Sequence, residues 1–257
     1  MYFIFFINLK MINIQLIERY LLFLLALESM SFGIAFTIHA NLGVTSISAA
    51  PYVLSLGLSP TVGQFNMMLH TLLVIIQIYL LKDKFQKIQL LQIIIGIIFG
   101  CLIDINNYFI LKKINPKNYI IRIVLVILGS LFLAIGITIQ VFIKTINSAA
   151  EGFLITIVNV FDLPIGKTKF IFDITLCIIA VISSLFLLGE IKGVREGTVI
   201  SSFFIGFFVG YLKPRMGDYI INFLYRNFPE RKGEENFNDN FCINDTSNDN
   251  LKEMINQ

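Results

Sequence analysis

The sequence predicts an all-α integral membrane protein of about six transmembrane helices, arranged as two inverted three-helix repeats. Three observations carry that expectation. First, 56% of the 257 residues are hydrophobic and only 14% are charged, against about 25% charged in a soluble domain. With a mean hydropathy of +0.78, lipid is the solvent that tolerates such a surface. Second, six apolar stretches approach the roughly 20 residues that a helix needs to cross a bilayer. Third, the chain repeats itself at a shift near 100 residues, as membrane proteins built from inverted halves do.

The chain opens on Met1 to Ile17, apolar and then mixed. Residues 1–18 are expected to form an interfacial extension, with Met11 as an alternative initiator. Arg19 before an apolar run could mark a secretory signal. Glu28 interrupts that run, and a copy of the segment recurs inside the chain, so Tyr20 to Ala40 is expected to be the first span. The next spans are Val62 to Leu81, Ile88 to Leu111, Ile123 to Ile143, Phe170 to Leu188 and Val194 to Leu212. Pro214 and Gly217 are expected to end the last one. Thr45 to Leu58 and Asn147 to Phe161 are apolar but too short to cross, and are expected to be re-entrant or interfacial. Residues 226–257 are rich in Asn, Asp, Glu and Lys and read as a disordered tail. The Asn244-Asp245-Thr246 triplet there matches a glycosylation pattern but means little in such a tail.

Lys and Arg at span ends favour both termini on the cytoplasmic side of a bacterial inner membrane. Lys10, Arg19, Lys82, Lys84, Lys87, Lys144, Lys167, Lys169, Lys213, Arg215, Arg226, Arg231 and Lys232 would lie inside. Lys112, Lys113, Lys117, Arg122, Lys192 and Arg195 would lie outside.

The halves are residues 19–112 and 113–225. Arg19, Gly33 and Gly63 match Arg122, Gly136 and Gly166 at a shift of 103, and Ser48-Ala49-Ala50 matches Ser148-Ala149-Ala150 at a shift of 100. Three spans per half is an odd number, so the second copy would run the opposite way through the membrane. Gln92, Gly96, Gly100 and Asp104 recur every four residues, and so do Thr198, Ser202, Gly206 and Gly210, shifted by 106. That spacing puts each set on one helix face. Gly96, Gly100, Ser202, Gly206 and Gly210 are expected to let another helix approach closely.

Ionisable groups inside spans are costly and point to function. Glu28, His70, Asp104 and Asp173 are the candidates, with Gln92 on the Asp104 stripe. His70 and Asp173 are repeat mates, so two polar faces could aim at one centre. A backbone-bonded neutral histidine, a Lys169–Asp173 ion pair and a partner on another helix for Glu28 are the plainer alternatives. The short segments add Asn41, Ser46, Ser48, Ser148 and Glu151. Helix capping is their plainer role; an anion held by free backbone N–H groups is the sharper one.

Cys101, Cys177 and Cys242 show no metal-ligand spacing and no disulfide framework, and no cofactor or metal is expected. GEIKGVREG at Gly189 to Gly197 lacks the order that phosphate binding needs. No nucleophile–base spacing points to an enzyme. The scattered basic residues exclude nucleic acid as a partner. The expected partners are the lipid bilayer and a small solute or ion, and the small-residue faces are compatible with a homo-oligomer.

Three segments also resemble the YczE/YitT-like bacterial membrane proteins: GIAFTIHANLGVTSISAAPYVLS (Gly33 to Ser55), GCLIDI (Gly100 to Ile105) and GEIKGVREGTVIS (Gly189 to Ser201). The resemblance runs from Arg19 to Pro214. It implies a multi-pass inner-membrane protein and supplies no substrate. Arg195 and Glu196 fall in the shared motif, where an interfacial charge pair is expected. Two functions stand: a small-solute or ion transporter using buried carboxylates, or a membrane scaffold or accessory subunit.

Overall fold

The structure is a computed structural model. It describes residues 2–111, 114, 116–143 and 148–224, with backbone alone for residues 2–16, 83, 110 and 111. The expected tail, Cys242 and the Asn244 triplet lie outside the described residues.

Among the described residues every regular element is helical: α1 (Tyr2–Ala40), α2 (Ser46–Gly57), α3 (Val62–Leu81), α4 (Leu91–Leu111), α5 (Tyr119–Ile143), α6 (Ala149–Phe161), α7 (Ile165–Leu188) and α8 (Glu196–Leu224), with two 3-10 turns, Lys82–Lys84 and Lys87–Leu90, before α4. Among the described residues, six helical stretches are long and apolar enough to cross a membrane: Ile17–Ala40, Val62–Leu81, Lys87–Phe109, Tyr119–Ile143, Ile165–Leu188 and Glu196–Leu224. At 1.5 Å per residue the first would span about 36 Å, more than the roughly 30 Å hydrocarbon core. The 12 residues of α2 and the 13 of α6 reach only about 18–20 Å and do not cross.

α1 and α5 form the centre. Half of the most apolar window of α1 lies inside the protein, against 17% for α7 and for α8. Small residues let the two central helices touch backbone to backbone. A Cβ on Gly33 would come within 2.6 Å of the Gly129 carbonyl, and one on Gly136 within 2.6 Å of the Ala26 carbonyl. Between these two crossings the Ser29 hydroxyl donates to the Phe132 carbonyl at 2.7 Å, across 103 residues of chain. Gly33 and Gly136 are themselves 103 residues apart, and so are Ala26 and Gly129, so each contact repeats the other under that shift.

The remaining elements flank this pair. α4 packs on α1, and α8 on α5. The short α2 lies against α7, and the short α6 against α3. α2 and α6 thus each lean on a long helix of the other half of the chain.

The end of α8 departs from expectation. Pro214 and Gly217 do not stop the helix, which runs on to Leu224. Pro214 removes one backbone donor, but the extra turns bury Ile220 and Leu224 against Leu22, Ile139 and Phe142. Gly217 gives room for the Phe142 ring, which a Cβ would meet at 2.5 Å. That burial outweighs the missing bond. α1 begins at Tyr2 and continues through the first span to Ala40.

Candidate functional site

Two polar features stand out. One is a cleft where the α1–α2 link meets the α7–α8 loop. The chain leaves α1 through Asn41, at φ 50°, and Gly43, at φ 104°. Gly43 must be glycine, because a side chain there would be strained at that φ and would press on Thr198 Oγ1 and the Arg195 backbone. Val44 N–H donates to the Gly193 carbonyl at 2.9 Å, and Gly197 N–H to the Leu42 carbonyl at 2.7 Å. These bonds fasten the start of α8 to the end of α1.

The resulting cleft of about 140 Å³ is lined by Thr37, Asn41, Tyr52, Glu190, Lys192 and Arg195 among others. Its charges are paired: Lys192 with Glu190 at 2.5 Å and Arg195 with Glu196 at 3.0 Å, as expected for the second pair. Arg195 also reaches the Asn41 carbonyl at 3.5 Å. Burial raises the Tyr52 hydroxyl, while the Lys192 charge lowers it.

The other feature is the seam between α3 and α4, which run antiparallel. The Gln92–Gly96–Gly100–Asp104 stripe faces α3 along its whole length. Gln77 Nε2 donates to Gln92 Oε1 at 3.2 Å and to the Ala149 carbonyl at 3.0 Å. His70 presses on Gly96, where a Cβ would lie 2.9 Å from its own, and its ring lies tilted beside that of Phe99 at 5.8 Å. Gly63 and Gly100 meet backbone to backbone. Asp104 closes the seam: Thr61 Oγ1 donates to it at 2.5 Å and Gly63 N–H at 2.8 Å. A carboxylate at a helix N-terminus is favoured by the free N–H groups and the dipole there. Asp104 is therefore a clasp on α3.

The start of α6 joins this system, with the predicted Ser148 and Glu151. Gly152 fits between Gln77 and Gln92, where a Cβ would lie 2.6 Å from Gln92 Nε2. Ser148 caps α6 by accepting from Glu151 N–H at 3.4 Å, the plainer of its two expected roles. Glu151 is drawn up by burial and down by Lys169, and Lys169 pairs with Asp173 at 3.5 Å. His70 packs on Gly96 of α4, while Asp173 pairs with Lys169 on its own helix. Glu28 stands apart, accepting from Asn106 Nδ2 at 3.2 Å, which also bonds Ser31 at 2.6 Å. Asn41 lies in the cleft. Ser46 and Ser48 begin α2, where Thr45 makes no side-chain cap.

Among the described residues, some buried polar atoms have no partner. Both amide atoms of Asn66, the Nδ1 of His70, the hydroxyls of Thr45 and Ser48, and Oε1 of Gln77 are in this state; Asn66 is 1% exposed and Ser48 0%. The sequence signalled Asn66 only by its place one turn before His70. Tyr52, Thr37 and Gln77 gave no signal, because nothing in the local pattern says which polar side chains the tertiary fold will enclose. Cys101 and Cys177 are free thiols.

Comparison with protein families then places the molecule. One family model covers residues 17–214. The chain belongs to DUF6198, a family of unknown function. The DUF6198 region takes in both polar features and all six spans as far as Pro214. Among curated proteins, and among solved structures, nothing matches the chain.

Proposed function

We propose that this DUF6198 protein is a small-solute or ion transporter, built from two inverted halves related about the α1–α5 crossing. The observation that carries it is the set of enclosed polar groups without partners, at Asn66, His70, Thr45 and Ser48. A buried polar group left unpaired costs on the order of 1–3 kcal/mol, and native folds rarely tolerate several. A solute, ion or water held inside the bundle would satisfy them. The reciprocal Gly33–Gly129 and Ala26–Gly136 contacts support the inverted duplication. So do the two non-crossing helices at matching places, the usual pointer to a transport site. Kinship with the YczE/YitT-like proteins and an inner-membrane location with both termini cytoplasmic belong to the same proposal.

The test is flux into proteoliposomes, with a panel of amino acids, monocarboxylates and monovalent cations and a trapped pH dye. Transport of one of these, lost in Asn66→Leu and His70→Leu proteins that remain monodisperse, is the expected result. Full transport in both variants would remove these groups from the path.

A scaffold or accessory-subunit role has one observation in its favour. The outward faces of α7 and α8 carry large exposed apolar residues, with Phe186 88% and Val199 73% exposed. Crosslinking in native membranes that traps one stoichiometric partner protein on Phe186 or Val199 would favour that role.

A further inference from the structure

The two halves differ at one seam. In the first half, α3 and α4 are closed on each other through Gly63, His70, Gly96 and Gly100. The corresponding residues of the second half are Gly166 and Asp173, at a shift of 103, and Ser202 and Gly206, at a shift of 106. There the helices stand apart. A Cβ on Gly166, Gly206 or Gly210 would meet nothing within 4 Å, whereas one on Gly63 or Gly100 would collide with its neighbour. Gly96 and Gly100 are buried; Ser202, Gly206 and Gly210 are exposed.

A second observation shows that this gap is not a plain lipid-facing surface. Lys169 and Asp173 lie on the same face of α7 as Gly166, with side chains 63% and 33% exposed. Asp173 is about 12 Å along the helix from its start, well inside the membrane. Carboxylates at that depth face protein or water, not hydrocarbon. Their counterparts on α3, Asn66 and His70, are buried, His70 against Gly96 of α4.

The clasp differs as well. Asp104 bonds the start of α3, but its counterpart on α8 is Gly210, which has no side chain to offer. The start of α7 has Pro164 as its cap and no side-chain bond. The first seam is latched and the second is not. They open on opposite faces: Asp104 closes the face to which α1 leads, and Gly166 and Gly210 lie at the face that holds both ends of the six-span chain.

We propose that α7 and α8 close on each other along Gly166, Asp173, Ser202 and Gly206, making in a second state the seam that α3 and α4 make now. The slot between α7 and α8 is then a water-filled mouth through which a polar solute reaches the bundle from the termini side. This rests on the transporter proposal above for its purpose, though not for its geometry.

The experiment is disulfide trapping. In a Cys101→Ser, Cys177→Ser, Cys242→Ser background, Asp173→Cys and Ser202→Cys are combined, and membrane vesicles are oxidised with copper-phenanthroline. At the equivalent pair, a β-carbon placed on Gly96 would lie 2.9 Å from that of His70, so a seam slightly wider than this one reaches the about 3.5–4.5 Å that a disulfide needs. Trypsin cuts at Lys192 and Arg195, so the two peptides stay joined only if the bond has formed. A joined product is expected, and adding Gly210→Asp, which offers Gly166 N–H the carboxylate that Asp104 offers Gly63, should raise its yield severalfold. Ser202→Cys alone should react with a water-soluble maleimide in a folded, monodisperse protein. If that labelling succeeds and no joined product forms even with Gly210→Asp, closure is wrong. A product found only between two chains would assign the face to a second copy and also overturn it. Closure without transport would leave the seam standing and sink the transporter; transport without closure would do the reverse.

Discussion

At the scale of single residues, Asp104 and Glu151 show how position decides what a carboxylate does. Asp104 accepts from both Thr61 and Gly63 at the start of α3. Asp104→Ala removes a cap and leaves those donors without it, so it should lower stability by about 1–2 kcal/mol, read as earlier thermal unfolding in detergent. Asp104→Asn keeps one acceptor and should lose less. Glu151 sits instead where burial lifts its carboxyl above the ordinary range, with Lys169 opposing. A raised carboxyl weakens the fold at pH values above it, and the effect fades as pH falls through the folded value. Glu151→Gln should therefore unfold later than the parent at pH 8, and the gap should narrow by pH 5. An equal gap at both pH values would contradict that assignment.

At the scale of elements, the same residue type has opposite weight on different helices. Gly136 is enclosed by Ala26 and Met30 at the α1–α5 crossing, whereas Gly206 has nothing near it. Gly136→Leu overpacks the centre and should cost about 1–3 kcal/mol, visible as loss of the monodisperse peak on size exclusion. Gly206→Leu should leave stability unchanged within error. The α1–α2 link gives a third case. Gly43 holds φ 104° against Thr198, so Gly43→Val should free the start of α8 from the end of α1. Faster backbone hydrogen exchange at Gly197, whose N–H bonds the Leu42 carbonyl, would be the sign.

At the scale of the whole molecule, six spans place the cleft and the Asp104 clasp on one face and the two ends of the span set on the other. Single cysteines at Ser59 and Glu190 should label from the same side, and one at Gln86 from the opposite side. Most of this plan could be read in the sequence. Helix spans follow from apolar length, which hydrocarbon thickness fixes, so the six spans and the short α2 and α6 were legible to within about five residues, apart from the end of α8, which runs on from Leu212 to Leu224. The Gln92-to-Asp104 stripe was legible because every fourth residue shares a helix face. What a stripe faces is another matter. The identical spacing in α8 leaves Gly206 and Gly210 with nothing that a Cβ would meet, and Pro214 fails to stop a helix whose last turns find Ile139 and Phe142 to bury against. Glu28 belongs to an Asn106–Ser31 cluster because α4 lies alongside α1, whereas the Lys169–Asp173 pair needs only the i,i+4 spacing of α7. By itself the sequence determined a membrane protein and the number of its crossings, since those depend on local hydrophobicity and apolar length. Only the tertiary structure decided that one seam is shut and its counterpart open, because that depends on contacts between helices distant in the chain.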